Sequence, residues 1–149
     1  MRLVLVLPLA VSLSGCGVIA ANQRAEANAK SRAAFSAGVE ACNQQFPDRV
    51  RQAVARAECL NAAQTTHLHP TVPYPDLLVQ VNATRLATAE QVQSGRMTVA
   101  QADLQLSQVV SQVVSEDQRR SLASRSVAAQ EAANAPVFCN RVGNTTICN

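Results

Sequence analysis

The stretch TVAQADLQLSQVVSQVV, residues 98–114, decides how this chain folds. Within it Val99, Ala102, Leu106, Val109 and Val113 recur at spacings of three, four, three and four. That rhythm places all five on one face of an α-helix, as in a coiled-coil seam. Val110 and Val114 widen the stripe. Thr98 precedes it and Gln101 follows three residues later, the reciprocal pair of a capping box, so the helix starts there. Beyond Glu116 the pattern thins through Arg119, Arg120, Ser121 and Ser124. This predicts an exposed continuation towards Asn134, stopped by Pro136.

Working outward, Gly95 supplies a left-handed C-terminal residue for a preceding helix, expected over Leu77 to Ser94 with Asp76 as its cap. The short link from Gly95 to Thr98 makes these two helices antiparallel neighbours. Upstream, three prolines in six residues (Pro70, Pro73 and Pro75) predict a loop over 64–76. Before it, Phe35, Val39, Cys42 and Phe46 form one face of a first helix, over 32–45, that Pro47 ends. Asp48 is positioned to cap a second helix with Val50, Ala53, Val54, Ala57 and Leu60 inward, and Arg49, Arg51, Gln52 and Arg56 outward. Residues 17–30 are rich in Ala, Asn, Gln and Glu and read as a tether or a helix start. The expected fold class is all-α, a small bundle of about four helices built from hairpins 32–63 and 76–134.

Composition agrees with thin helix-on-helix packing. Hydrophobic residues make up 48% of the 149, but alanine dominates them, aromatics reach only 3%, and there is no Trp. Alanine combines high helix propensity with little burial area. The formal net charge of +3 is too balanced to argue for a nucleic-acid or anionic-membrane surface. Twelve of the thirteen basic residues are Arg, the other being Lys30, which points to coding bias rather than mechanism.

The N-terminus carries an address. Arg2 and the apolar run Leu3–Leu13 have the charge and length of a signal peptide, too short to span a bilayer. Leu13-Ser14-Gly15-Cys16 resembles the lipobox of bacterial prolipoproteins, Leu-(Ala/Ser)-(Gly/Ala)-Cys. The resemblance implies removal of residues 1–15, which leaves 134 of 149. It also implies a diacylglycerol on the Cys16 thiol and an acyl chain, such as palmitate, on the freed amine. No other cofactor is expected. Gly17 stands where family members retained in the inner membrane carry Asp, so in a Gram-negative cell the resemblance implies the outer membrane, facing the periplasm. The mature part is similar to small lipoproteins of the proteobacterial envelope. They share an Ala-rich helical body, a segment like Gln93-Ser94-Gly95-Arg96-Met97-Thr98-x-x-Gln101-Ala102 and, in some, a terminal Cys-x-x-x-Gly-x-x-x-x-Cys hairpin. That likeness supports a class and carries over no catalytic residue.

With Cys16 lipidated, Cys42, Cys59, Cys139 and Cys148 remain. An even number in an exported chain predicts two disulfides, and the spacings lack the close pairs of structural zinc sites. Strand formers flank Gly143-Asn144. With those two residues as a turn, paired residue numbers sum to 287, which Cys139 and Cys148 satisfy at a non-hydrogen-bonded site with Cα atoms about 4.5 Å apart. A disulfide-closed β-hairpin over 136–149 is therefore expected, leaving Cys42–Cys59 as the other bridge. A tight turn at residues 46–48 would instead set Cys42 opposite Gln52, with Cys59 about 10 Å further along. That bridge requires the second helix to start late or the two helices to cross steeply.

The chain thus divides into a signal peptide (1–15), a lipidated N-terminus and tether (16–31), a helical domain (32–135) and the hairpin (136–149). No Gly-x-Ser-x-Gly, phosphate loop or Walker motif occurs, and Glu116-Asp117 beside Arg119-Arg120 reads as a solvated helix face. The expected function is a lipid-anchored, non-catalytic structural or binding subunit of the envelope. Two alternatives stay open. His67 and His69 are weak candidates for a metal or enzyme site, as His-x-His in an extended loop. The loop 64–76 around Tyr74, or Arg141 and Asn144 at the hairpin, are candidates for binding a wall polymer or an envelope partner. The membrane is expected to be met through the lipid alone, and no nucleic acid is implied.

Overall fold

The computed structural model describes residues 15–136, 139–143 and 145–148. Its body is built of four helices: α1 (Gly15–Gln45), α2 (Ala53–His67), α3 (Pro75–Gln93) and α4 (Val99–Ala133). Each packs against the next in chain order, α1 on α2, α2 on α3 and α3 on α4. The partners across each contact show that the helices alternate in direction. In the first pair Cys42 meets Cys59 and Asn43 meets Arg56. In the second Asn61 and Gln64 meet Arg85, while the Val54 amide meets Gln93. In the third Asp76 meets Arg120. The expected small helical bundle is therefore present.

Local chemistry explains the boundaries and corrects several expectations. The helix expected from residue 32 already runs from Gly15, through the segment read as a tether or a helix start; it is the second of these. Repeated alanines from Ala20 to Ala34 carry the helix without tertiary support. Exposure, not a break in the helix, marks the 31/32 boundary: Ile19–Lys30 are exposed, and packing begins around Ala34 and Phe35. Asp48 does cap, but it caps a single preceding turn. Its Oδ1 accepts from the Val50 and Arg51 amides at 2.9 and 2.8 Å, and α2 proper starts only at Ala53. Ala53 and Ala57 are buried and Val54 and Leu60 half-buried, but Val50 is exposed and Arg56 half-buried, the reverse of the expected sides. The late start is what the first disulfide needed. Cys42 and Cys59 come level, with Cα atoms 5.8 Å apart, and are bridged.

The loop expected over 64–76 is much shorter. Gln64 is buried within α2, which runs to His67, and residues His69–Thr71 form a 3₁₀ helix. Pro70 and Pro75 occupy first-turn positions, where a missing N–H costs nothing and the fixed φ suits a helix. Asp76 accordingly sits inside α3 rather than at its cap; Tyr74 holds the cap position. At the other end Gly95, with φ of 73°, closes α3 as expected. Its N–H reaches Val92 O and the Arg96 N–H reaches Gln91 O, a Schellman pair. The Thr98–Gln101 capping box starts α4, with Thr98 N to Gln101 Oε1 at 2.9 Å and Gln101 N to Thr98 Oγ1 at 3.2 Å.

The core is thin, as alanine dictates. Ala53, Ala57, Ala89 and Val92 are its buried centre, with Val54, Leu86, Met97, Val99 and Ala102 packed against them. Leu77, Val81 and Cys42 are buried further along. On α4 the predicted seam of Val99, Ala102, Leu106, Val109 and Val113 is half-buried along its length, while Val110 and Val114 are exposed. Two helices outrun this core. The alternation of directions sends the N-terminal half of α1 and the exposed end of α4 past the same end of the body, the end holding the 68–74 connection. No helix among the described residues is long and apolar enough to cross a membrane. The hairpin expected at 136–149 depends partly on Phe138 and Asn144, which lie outside the described residues.

Candidate functional site

A cleft of about 80 Å³ opens where α2, α3 and the start of α4 meet. The one-carbon side chains of Ala53, Ala57 and Ala89 leave the space, and Leu60, Val92 and Leu106 complete an apolar floor. Three arginines stand around it: Arg49 from the turn before α2, Arg56 from α2 and Arg85 from α3. One carboxylate, Asp103 of α4, shares the rim and pairs with Arg49 at 2.7 Å.

Arg56 and Arg85 are held differently. Every hydrogen bond they make among the described residues goes to an uncharged amide oxygen. Arg56 Nε donates to Asn43 Oδ1 at 3.1 Å, and its Nη2 donates to the same oxygen. Arg85 Nη2 donates to Gln64 Oε1 at 2.9 Å, and Nη1 to Asn82 Oδ1 at 2.9 Å and to Asn61 Oδ1. Amide oxygens orient a guanidinium without neutralising it. Burial lowers the Arg85 pKa from its ordinary value, and the Arg56 charge lowers it further. Arg56 is lowered first by burial and then by Arg49, with Asp103 acting the other way. The two guanidiniums thus sit partly desolvated and within electrostatic reach of one another. Both stay protonated at neutral pH, so the cleft offers positive charge and N–H donors rather than proton transfer.

His67, His69 and Tyr74 do not line this cleft. His67 closes α2 and His69 opens the 3₁₀ helix, so the extended His-x-His geometry does not form. Among the described residues no group of three or more His, Cys, Asp and Glu could hold a metal ion. The Tyr74 ring carries the Arg120 guanidinium 5.3 Å from its centroid, which occupies one face of the ring. Arg120 in turn pairs with Asp76 and Glu116, each at 2.7 Å. Asn144 and the Arg141 side chain lie outside the described residues, as do residues 1–14 and the Cys16 side chain.

Sequence reading missed Arg56, assigned outward, and Arg85, assigned nothing. A signal for Arg85 existed. It falls in the rhythm of Leu77, Val81, Thr88, Ala89 and Val92, the buried face of α3. A basic residue on an otherwise buried face marks a charge that tertiary structure must accommodate.

Compared with family models, curated proteins and solved structures, the chain gives no match.

Proposed function

We propose that this chain is a lipid-anchored envelope protein, fixed through Cys16, that acts as a non-catalytic binding subunit facing the periplasm. The observation that carries the reading is the continuity of α1. One helix of 31 residues runs from Gly15 to Gln45, with Cys16 at its start and the bridged Cys42 near its end. From Cys16 to the first packed residues near Phe35 the helix rises about 28 Å at 1.5 Å per residue. A body on such a stalk stands clear of lipid headgroups and presents its cleft to the periplasm. Binding rather than catalysis suits a cleft whose cations exchange no protons at neutral pH.

Cys16→Ser should abolish labelled palmitate incorporation and leave the precursor uncut. Labelling that persists in the variant removes the anchor. Fractionation of a Gram-negative host should place the wild-type protein in the outer membrane, following Gly17; recovery in the inner membrane overturns that destination.

The reading includes a hairpin closed by Cys139–Cys148. Support comes from the backbone of β1 (Cys139–Val142) and β2 (Thr145–Cys148), which pair antiparallel with Cys139 opposite Cys148. Gly143 takes a positive φ of 64°, and Cys139 is disulfide-bonded. Non-reducing digestion should yield one peptide linking residues 139 and 148. A linkage from Cys139 to another chain would instead make the tail a dimer contact.

A further inference from the structure

We infer that the α2–α3–α4 cleft is a receptor for a carboxylate carried on a small aliphatic group, held between Arg56 and Arg85. This rests on the binding-subunit reading and names its ligand class. Three arginines face one aspartate in the cleft, and that aspartate is engaged by Arg49. Among the described residues the Arg56 and Arg85 guanidiniums hydrogen-bond to neutral amides only, although both are partly buried, Arg49 disfavours the charge on Arg56, and Arg56 disfavours that on Arg85. A bound anion would relieve that repulsion and gain charge-assisted hydrogen bonds in a partly desolvated setting.

Both guanidiniums also keep donors in reserve. Of the five N–H groups on each guanidinium, Arg85 uses three on Asn61, Asn82 and Gln64. Arg56 uses two on Asn43. The remaining donors are held on side chains already oriented by the amide shell. Less rotamer entropy is therefore lost on binding than for free surface arginines.

Size and lining select the anion. The cleft is about 80 Å³, open to solvent on one side and floored by Ala53, Ala57, Ala89 and Leu106, so the part of a ligand seated in it is a few carbon atoms. A carboxylate directs its two oxygens at the guanidiniums and leaves an apolar remainder for that floor. Inorganic phosphate would press oxygens without donors against the alanines, and its second negative charge would lie near Asp103. A monoanion with a short aliphatic body fits both constraints. It can come from a free short-chain acid or from the C-terminus of a peptide ending in alanine.

The test uses the mature, lipidated chain in detergent micelles, with the Cys42–Cys59 bridge confirmed. Butyrate, methyl butyrate, inorganic phosphate and the blocked dipeptide N-acetyl-Ala-Ala are titrated while the arginine side-chain N–H resonances are followed by NMR. Butyrate or N-acetyl-Ala-Ala should shift the Arg56 and Arg85 signals saturably, and whichever binds more tightly identifies the source. Methyl butyrate and phosphate should bind at least about tenfold more weakly. Arg56→Gln should weaken carboxylate binding at least about tenfold, whereas Arg125→Gln, an arginine outside the cleft lining, should change it by no more than about threefold. Leu106→Ala, which lengthens the floor, should move the preference from butyrate towards hexanoate. This readout comes from a protein that still binds, so it survives any loss of stability in an arginine variant. Absence of saturable shifts in the wild-type protein, or equal binding of phosphate or the ester, overturns the inference. Such a failure leaves the anchor reading intact, because palmitate labelling at Cys16 reads that independently.

Discussion

Between α1 and α2 the backbones approach so closely that a Cβ built on Gly38 would lie 3.0 Å from Ala63 Cβ. Between α3 and α4 the contact is instead made by larger side chains, the half-buried seam from Val99 to Val113. The first pair is held by a disulfide and the Asn43–Arg56 contact beside the half-buried Phe35 and Val39. The second is held by a capping box, an apolar stripe and the Asp76–Glu116–Arg120 ion cluster. The difference teaches how an alanine-rich chain stays folded. Where the helices approach so closely that only Gly and Ala fit at the contact, a covalent link limits the unfolded ensemble; where larger side chains separate them, no such link is present.

The sharpest way to break this comparison is to remove the bridge. Cys42→Ala with Cys59→Ala should cost about 3 kcal/mol, the chain-entropy value for a loop of this size. Urea unfolding of the variant, and of the wild type with and without reductant, measures it; a loss below about 1 kcal/mol would mean that noncovalent contacts hold α1. Gly38→Val tests the same pair by overpacking. The added side chain must push α1 off Ala63, and the expected loss is roughly 1–3 kcal/mol. A neutral result in the same assay would show that the two helices separate freely.

Turning to α3–α4, Leu106→Ala should cost about 1–2 kcal/mol, less than the roughly 2–5 kcal/mol of a fully buried leucine, because the residue is only half-buried. A loss above about 3 kcal/mol would mean that something covers the seam in solution. The smallest effect concerns the ion cluster. Hydrogen bonds from Arg119 and then Arg120 hold the Glu116 pKa at about 2, below its ordinary value of 4.5. A lowered folded-state pKa stabilises above the ordinary carboxylate range, and that contribution is lost as pH falls towards about 2. Glu116→Gln should therefore lower Tm slightly at pH 6, by the small amount an exposed pair contributes. The gap should narrow as pH falls towards 2. A gap undiminished between pH 6 and pH 2 would assign the effect to packing rather than charge.

Much of this molecule was legible before folding was considered. The seam of α4, the Thr98–Gln101 box and the Gly95 stop were correct because each depends on residues within a turn or two of one another. Helical rhythm and capping are local chemistry, so the four-helix content follows from residue order alone. The pairing of Cys42 with Cys59 was conditional in the sequence. It turned on whether Asp48 begins α2 or only a turn ahead of it, and side-chain caps permit both. Proline misled for a related reason. Three in six residues suggested a long loop, yet two of them fall in first helical turns, where they cost nothing.

What tertiary structure alone decided is the placement of charge. Arg56 and Arg85 lie 29 residues apart in sequence and become neighbours only because α2 and α3 run antiparallel. That neither guanidinium hydrogen-bonds to a carboxylate among the described residues is a property of that packing, which no local spacing encodes. The same holds for Asp76, whose preference for a helix N-terminus is local but whose bond to Arg120 spans 44 residues. Residue order determined the helices and the lipid address it suggests. Antiparallel packing determined which side chains left over from helix building would share a cleft.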